Sequence, residues 1–202
     1  MTSQHQFTVD CEFDWGGRTY GTTGLTQGLP RILSAFRQAG VRGLFFVSTE
    51  LLQDWGDCLW LITNQGHEIG SHGHFHTIYK DRWRAEADRH LSLKLLAEYQ
   101  SVPQESIRYR APKFNYEVRG EQYSYRKAHV SLLRHMWLKE KIKEDTIIYL
   151  HPFDIVETKE KAPNLFCKLW YSQPKKAYET LIDLLESYPG SDIINRAVQK
   201  IA

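Results

Sequence analysis

Phe7-Thr-Val-Asp-Cys11, Leu29-Pro-Arg-Ile-Leu-Ser-Ala-Phe-Arg-Gln-Ala-Gly40 and Gly43-Leu-Phe-Phe-Val47 follow one another along the chain and decide the fold class. The first is short, apolar and β-branched, as a buried strand is. The second has apolar residues at 29, 32, 33 and 36, the spacing of a helix, with Pro30 near its start and Gly40 just past its end. The third is a continuous apolar strand. A strand, a helix and a strand at this separation form a βαβ unit, and hence a parallel pair.

The alternation continues outward. Leu51 to Asn64 is helical and stops before Gly66, and His67-Glu-Ile-Gly-Ser-His72 is short and strand-like. Arg82 to Tyr99 is a long amphipathic helix with Leu91, Leu95 and Leu96 on one face, and Ile107-Arg-Tyr-Arg110 is a strand before Pro112. Residues 115–143 are polar and aromatic, with a helical stretch at Val130 to Lys141 and no assignment for the first half. Thr146-Ile-Ile-Tyr-Leu150 is a buried strand, and Pro174 to Ser187 a helix with apolar residues at 177, 178, 181, 184 and 185. Repeated units of this kind predict an α/β fold with a largely parallel sheet, doubly wound or closed into a barrel. With no repeat or linker to divide it, the chain is expected to be one domain over 1–202.

The 202 residues carry 26 Lys and Arg against 24 Asp and Glu, a net charge of +2, which argues against nucleic acid as a partner. No apolar run approaches the roughly 20 residues of a membrane span. Cys11, Cys58 and Cys167 are odd in number and widely spaced, without a Cys-x-x-Cys pair. The expectation is a reduced, cytoplasmic protein without a secretory signal or transmembrane segment.

Reactive groups in α/β folds gather at the carboxyl ends of the strands, and four sets of polar residues stand there. Asp10-Cys-Glu12-Phe-Asp14 closes the first strand; Asp10 and Glu12 project to one side of an extended chain and can share a metal or divide base and ligand roles, or simply cap a loop. Residues 67–76 hold four of the nine histidines, with His72 and His76 at the i, i+4 spacing that suits a divalent cation. His67 and His74 can be satisfied by backbone groups, and the His-Glu-x-x-His pattern of zinc proteases is absent. Arg110-Ala-Pro112 can clamp a carboxylate and aim a backbone N–H, or be a surface Arg before a turn. His151 follows an apolar strand, as a general acid or a hydrogen-bonded structural residue.

Taken in order, Phe7-Thr-Val-Asp10-Cys-Glu12, Gly66-His-Glu-Ile-Gly-Ser-His72-x-x-x-His76, Arg110-Ala-Pro112 and Leu150-His151-Pro152 resemble the successive motifs of the polysaccharide deacetylases, the NodB-homology domains of carbohydrate esterase family four. The resemblance covers residues 6 to 153 and implies a distorted, incomplete (β/α) barrel of seven or fewer units. It also implies metal-dependent removal of an N-acetyl or related acyl group from an amino sugar or glycan precursor. Asp10 then takes the role of general base, and His72, His76 and Glu12, with Asp14 in reserve, those of metal ligands. Zinc is the expected metal, with cobalt, nickel or manganese as alternatives. Arg110 would orient Asp10, the backbone N–H of Lys113 would hold the oxyanion, and His151 would protonate the departing amine. Cys11 stands where the commonest family pattern has a second Asp, so the first motif is similar to an Asp-x-Glu branch.

The family's usual Asp between the Arg and the final His has no match between Lys113 and His151; Asp145 and Asp154 are the nearest substitutes. Two rivals accompany this expectation: a hydrolase of a small cyclic amide or ureide on the same site, and a catalytically impaired carbohydrate-binding relative. Trp15, Tyr20, Phe75 and Phe114 lie near the motifs and could stack on sugar rings. The oligomeric state is not legible.

Overall fold

The computed structural model describes residues 6–114, 126–133, 142, 146–158, 162–170 and 173–188. Its strands are β1 (Gln6–Cys11), β2 (Leu44–Val47), β3 (Glu68–Ser71), β4 (Arg126–His129) and β5 (Thr146–Leu150). The helices are α1 (Leu29–Ala39), α2 (Leu52–Asn64), α3 (Arg82–Gln100), α4 (Val130–Leu133), α5 (Leu165–Trp170) and α6 (Pro174–Ser187). The strands form one parallel sheet in the order β3-β2-β1-β5-β4. The α/β class and the parallel sheet are therefore as expected. Among the described residues the sheet does not close, so the expected incomplete barrel is an open sheet.

β1 lies at the centre because its odd positions are apolar: Phe7, Val9 and Cys11 are fully buried. Phe36 of α1 packs its ring 6.0 Å from both Phe7 and Phe45, tying α1 to β1 and β2. α1 also starts hard against the loop after β5. A Cβ on Gly28 would lie 1.9 Å from the carbonyl oxygen of Pro152, so only glycine lets the two backbones approach and bring His151 beside the end of β1.

Two elements differ from their sequence patterns. The strand expected at 107–110 is a single bridge, Ser71 to Tyr109, flanked by bonds from Ser71 N to Arg108 O and from Arg110 N to Ser71 O. It goes no further because the groups of the next rung are taken: the Gly73 N–H donates to Ser71 Oγ, and the Arg110 carbonyl accepts from the His72 ring. On α3 the buried face is Ala85, Asp88, Ser92, Leu93 and Leu96, and Leu91 is exposed. Polar duties set that face: Ser92 Oγ meets Ser71 Oγ at 2.7 Å, and Asp88 holds a loop described below. Of the expected helix at 130–141, Val130–Leu133 is present and 134–141 lie outside the described residues. Arg126-Lys-Ala-His129, too polar to be recognised as a strand, forms the β4 edge.

His67 shows how the structure separates buried histidines from reactive ones. Its Nδ1 accepts the Gly43 N–H at 3.1 Å, and its ring packs against Phe36 and Phe45. Burial, helped by the Arg42 charge, pushes it down to about 4 from 6.5. The folded state therefore binds this proton more weakly than the unfolded chain, so stability is full above about pH 6.5 and declines as the pH falls toward 4. The variant His67→Asn keeps an acceptor for Gly43 but cannot titrate. Its unfolding free energy should fall less steeply over this interval, by up to about 1.4 kcal/mol per pH unit. Parallel slopes in urea titrations of the two proteins would refute the assignment.

Candidate active site

β1 ends in Asp10 and Cys11, with Glu12 just past it, and the two carboxylates fall on the opposite side of the chain from the core residue between them. Asp10 is 2% exposed, and its Oδ1 accepts from Arg110 Nη1 at 2.5 Å. The guanidinium lies over the rings of Phe46 and Phe114, at 4.0 and 5.0 Å. Burial works against the Asp10 charge, yet Arg110 and the neighbouring histidines outweigh it and hold the carboxyl below its usual range.

His72 immediately follows β3. Its Nδ1 lies 3.0 Å from the backbone carbonyl of Arg110 and must donate to it, because a carbonyl only accepts. The other nitrogen, Nε2, is thereby left with a lone pair. It faces Asp10 Oδ2 at 3.8 Å and Glu12 Oε2 at 3.6 Å. Burial pushes this imidazole down to about 4, so it is neutral at physiological pH. His76 places its Nε2 2.5 Å from the same Glu12 oxygen. Glu12 Oε2 is buried and makes no aligned hydrogen bond. Three ligand atoms therefore converge within 4.8 Å of one another, one a carboxylate oxygen and one an imidazole lone pair fixed by an outer hydrogen bond. These residues fit a divalent cation.

The loop carrying His76 is held by Asp88 of α3, which accepts from the backbone N–H groups of His74 and Phe75 and from the Tyr79 hydroxyl. Asp14 is occupied elsewhere: its two oxygens accept from Thr23 N and Gly24 N, both at 2.8 Å, and organise the loop before α1. Of the two acids in question, Glu12 is the one placed among the imidazoles. Trp15, His76, Lys113 and Phe114 all have positive φ, between 48° and 57°, a conformation that costs a side-chain-bearing residue energy and tends to cluster at functional sites. Of the aromatics considered for sugar stacking, Phe75 is 51% exposed, whereas Trp15 packs on Phe153 and Phe114 on Tyr149.

Gly16 sets the position of His76. A Cβ there would stand 2.7 Å from His76 Nδ1, and the residue's φ is +76°. Gly16→Ala should displace the imidazole and weaken zinc binding by about 10- to 100-fold, as loss of outer support commonly does. Isothermal titration with zinc checks this; unchanged affinity would show that His76 is not a ligand.

His151 follows β5 and presents Nε2 toward the cluster, 3.8 Å from Glu12 Oε1. Asp154, three residues on, holds it twice: Oδ2 accepts from the His151 backbone N–H at 2.6 Å and lies 3.2 Å from Nδ1. Burial opposes the imidazolium, but Asp154 and the acids of the cluster hold it up to about 9. Of the two substitutes considered for the orienting Asp, Asp154 holds His151 from the far side, and Asp145 lies outside the described residues. His129 of β4 completes the group, 3.1 Å from Asp154 Oδ2. No sequence signal marked His129.

A family model for polysaccharide deacetylase matches residues 5–125, more than half of the 202 residues. The chain belongs to the polysaccharide deacetylase family. No curated protein matches it. Solved structures with this deacetylase fold include a carbohydrate esterase family 4 pseudoenzyme from Bacillus anthracis, 16% identical with a TM-score of 0.57. The alignment takes in 92% of this chain and 61% of that one, so the chain spans about three fifths of that protein's length. The peptidoglycan deacetylase PdaC from Bacillus subtilis is 14% identical, with a TM-score of 0.55 and coverage of 93% and 85%. A family 4 carbohydrate esterase from Streptomyces lividans, in complex with acetate, is 13% identical, with a TM-score of 0.57 and coverage of 92% and 87%. At these identities the likeness establishes the deacetylase fold. Among the described residues no helix is long and apolar enough to cross a membrane.

Proposed function

We propose that this deacetylase-family chain is a divalent-metal-dependent hydrolase that removes the N-acetyl group of an amino sugar or glycan precursor. One observation carries the reading: Glu12, His72 and His76 converge with a bare nitrogen on His72, beside an ionised Asp10 that has one oxygen uncommitted. Relatives that include a peptidoglycan deacetylase and an esterase bound to acetate support the choice of substrate class.

Glu12, His72 and His76 would hold the metal, zinc by preference for this nitrogen and oxygen donor set. When bound, zinc supplies Lewis acidity, lowering the pKa of water from about 15.7 toward about 7 and polarising the acetyl carbonyl. Asp10 has Oδ1 on Arg110, so Oδ2, on the His72 side, is the atom that takes the proton of the attacking water. Arg110 keeps that carboxylate ionised and fixes its plane. The backbone N–H of Lys113, just past Pro112, donates to the developing oxyanion. His151, charged at neutral pH, gives its Nε2 proton to the amine as the carbon–nitrogen bond breaks, while Asp154 holds Nδ1. Acetate and the free amine leave. Base and acid each contribute about 10² to 10⁴-fold.

The test is acetate release from N-acetylglucosamine oligomers by metal-stripped protein reloaded with zinc, cobalt or nickel. Metal-dependent release is expected. The absence of acetate with every metal would overturn the proposal.

A further inference from the structure

The described residues contain a second group with ligand-like spacing: His129 Nε2, His151 Nδ1 and Asp154 Oδ2. Their separations are 3.1, 3.2 and 3.2 Å. Ligand atoms on a tetrahedral zinc stand roughly 3.4 Å apart, so distance alone admits a cation here as readily as at Glu12, His72 and His76.

The hydrogen bonds behind the rings separate the two groups. Ser131, in the first turn of α4, donates its backbone N–H to His129 Nδ1 at 3.2 Å. A nitrogen that accepts carries no proton, so the neutral His129 ring has its proton on Nε2. That N–H points into the group and is a donor, not a ligand. His72 is the mirror case, with its proton on Nδ1 and its lone pair inward. Outer hydrogen bonds set which ring nitrogen can bind a metal.

We propose that His129 is a positioning residue for His151: its Nε2–H holds the Asp154 carboxylate, which holds the His151 ring, and the three do not form a second cation site. This rests on the deacetylase reading in giving His151 a reaction to serve. Asp154 Oδ2 also accepts the His151 backbone N–H, so a carboxylate anchored by His129 fixes both the ring and the peptide that carries it. β4 is paired to β5 at His129–Tyr149, which sets His129 one strand away from the residue it steadies.

The experiment is a long-range ¹⁵N–¹H correlation spectrum of the labelled protein during zinc addition, together with zinc counts and kinetics of two variants. His129 should carry its proton on Nε2 and stay unshifted when zinc moves the His72 and His76 signals. His129→Leu should keep the wild-type zinc count, which also shows the fold is intact, and lose about 10- to 100-fold in kcat with KM within about twofold. His129→Gln, whose side-chain N–H can reach the same carboxylate, should recover most of the loss. A proton on Nδ1, a zinc-shifted His129, a second zinc lost in His129→Leu, or an unchanged kcat in that variant would each overturn the proposal. If the wild type releases no acetate, the deacetylase reading fails, while the spectra and zinc count still decide the relay.

Discussion

Asp10→Asn is expected to lower kcat for acetate release by about 10² to 10⁴-fold while leaving the zinc count unchanged. The amide is nearly isosteric and its oxygen can still accept from Arg110, so the neighbours should stay in place. It cannot take a proton from water at neutral pH. The substitution also leaves the buried Arg110 charge without its counterion, and Arg110 is only 3% exposed. Removing one member of a buried pair costs about 3 to 5 kcal/mol, which the phenyl faces of Phe46 and Phe114 reduce. A lower Tm should therefore accompany the lost activity. An active Asp10→Asn protein would move the base elsewhere in the site.

Zinc added to the metal-free protein at about a hundred times its Kd should stabilise the fold by about 2.7 kcal/mol. For a chain of this size that is a rise in Tm of about 5 to 10 °C. In His72→Ala the rise should largely disappear, because Glu12 and His76 alone lack the inward lone pair that His72 supplies. The effect has a clear origin: without a cation, Glu12 Oε2 is a buried carboxylate oxygen with no aligned hydrogen bond. Differential scanning of both proteins, each with and without zinc, isolates this term from the packing cost of the substitution. An equal zinc-induced rise in the two proteins would show that the metal binds elsewhere.

How much of this was legible in the sequence depended on where each residue stands. Asp10, Glu12, His72 and His151 lie at or just past the ends of three strands, of which β1 and β5 are apolar runs that read clearly, so the strand ends located the site. Arg110 was found on its Pro112 signal, although its strand proved to be one bridge. Glu12 was preferred to Asp14 on the family resemblance, since both follow the strand; the backbone amides of Thr23 and Gly24, which occupy Asp14, give the physical reason. His129 was invisible because β4 is a short polar edge strand without alternation. Asp154 was one of two acids considered for orienting His151, without a spacing argument to choose it; the tight turn that brings it back onto the preceding histidine is visible only in the structure. On α3, leucine spacing suggested a face with Leu91, and the buried polar pair Asp88 and Ser92 turned the helix away from it.

β1 carries the core on Phe7, Val9 and Cys11 and its acids on Asp10 and, just past its end, Glu12. A slip of one residue against β2 or β5 would put carboxylates into the apolar layer and Cys11 into the site. This strand therefore has no native-like misalignment that is merely inactive: the pairing that excludes water from the core is the pairing that delivers the proposed base. In a refolding time course, recovery of turnover should coincide with protection of the β1 amides. Specific activity is then a direct gauge of correctly registered molecules.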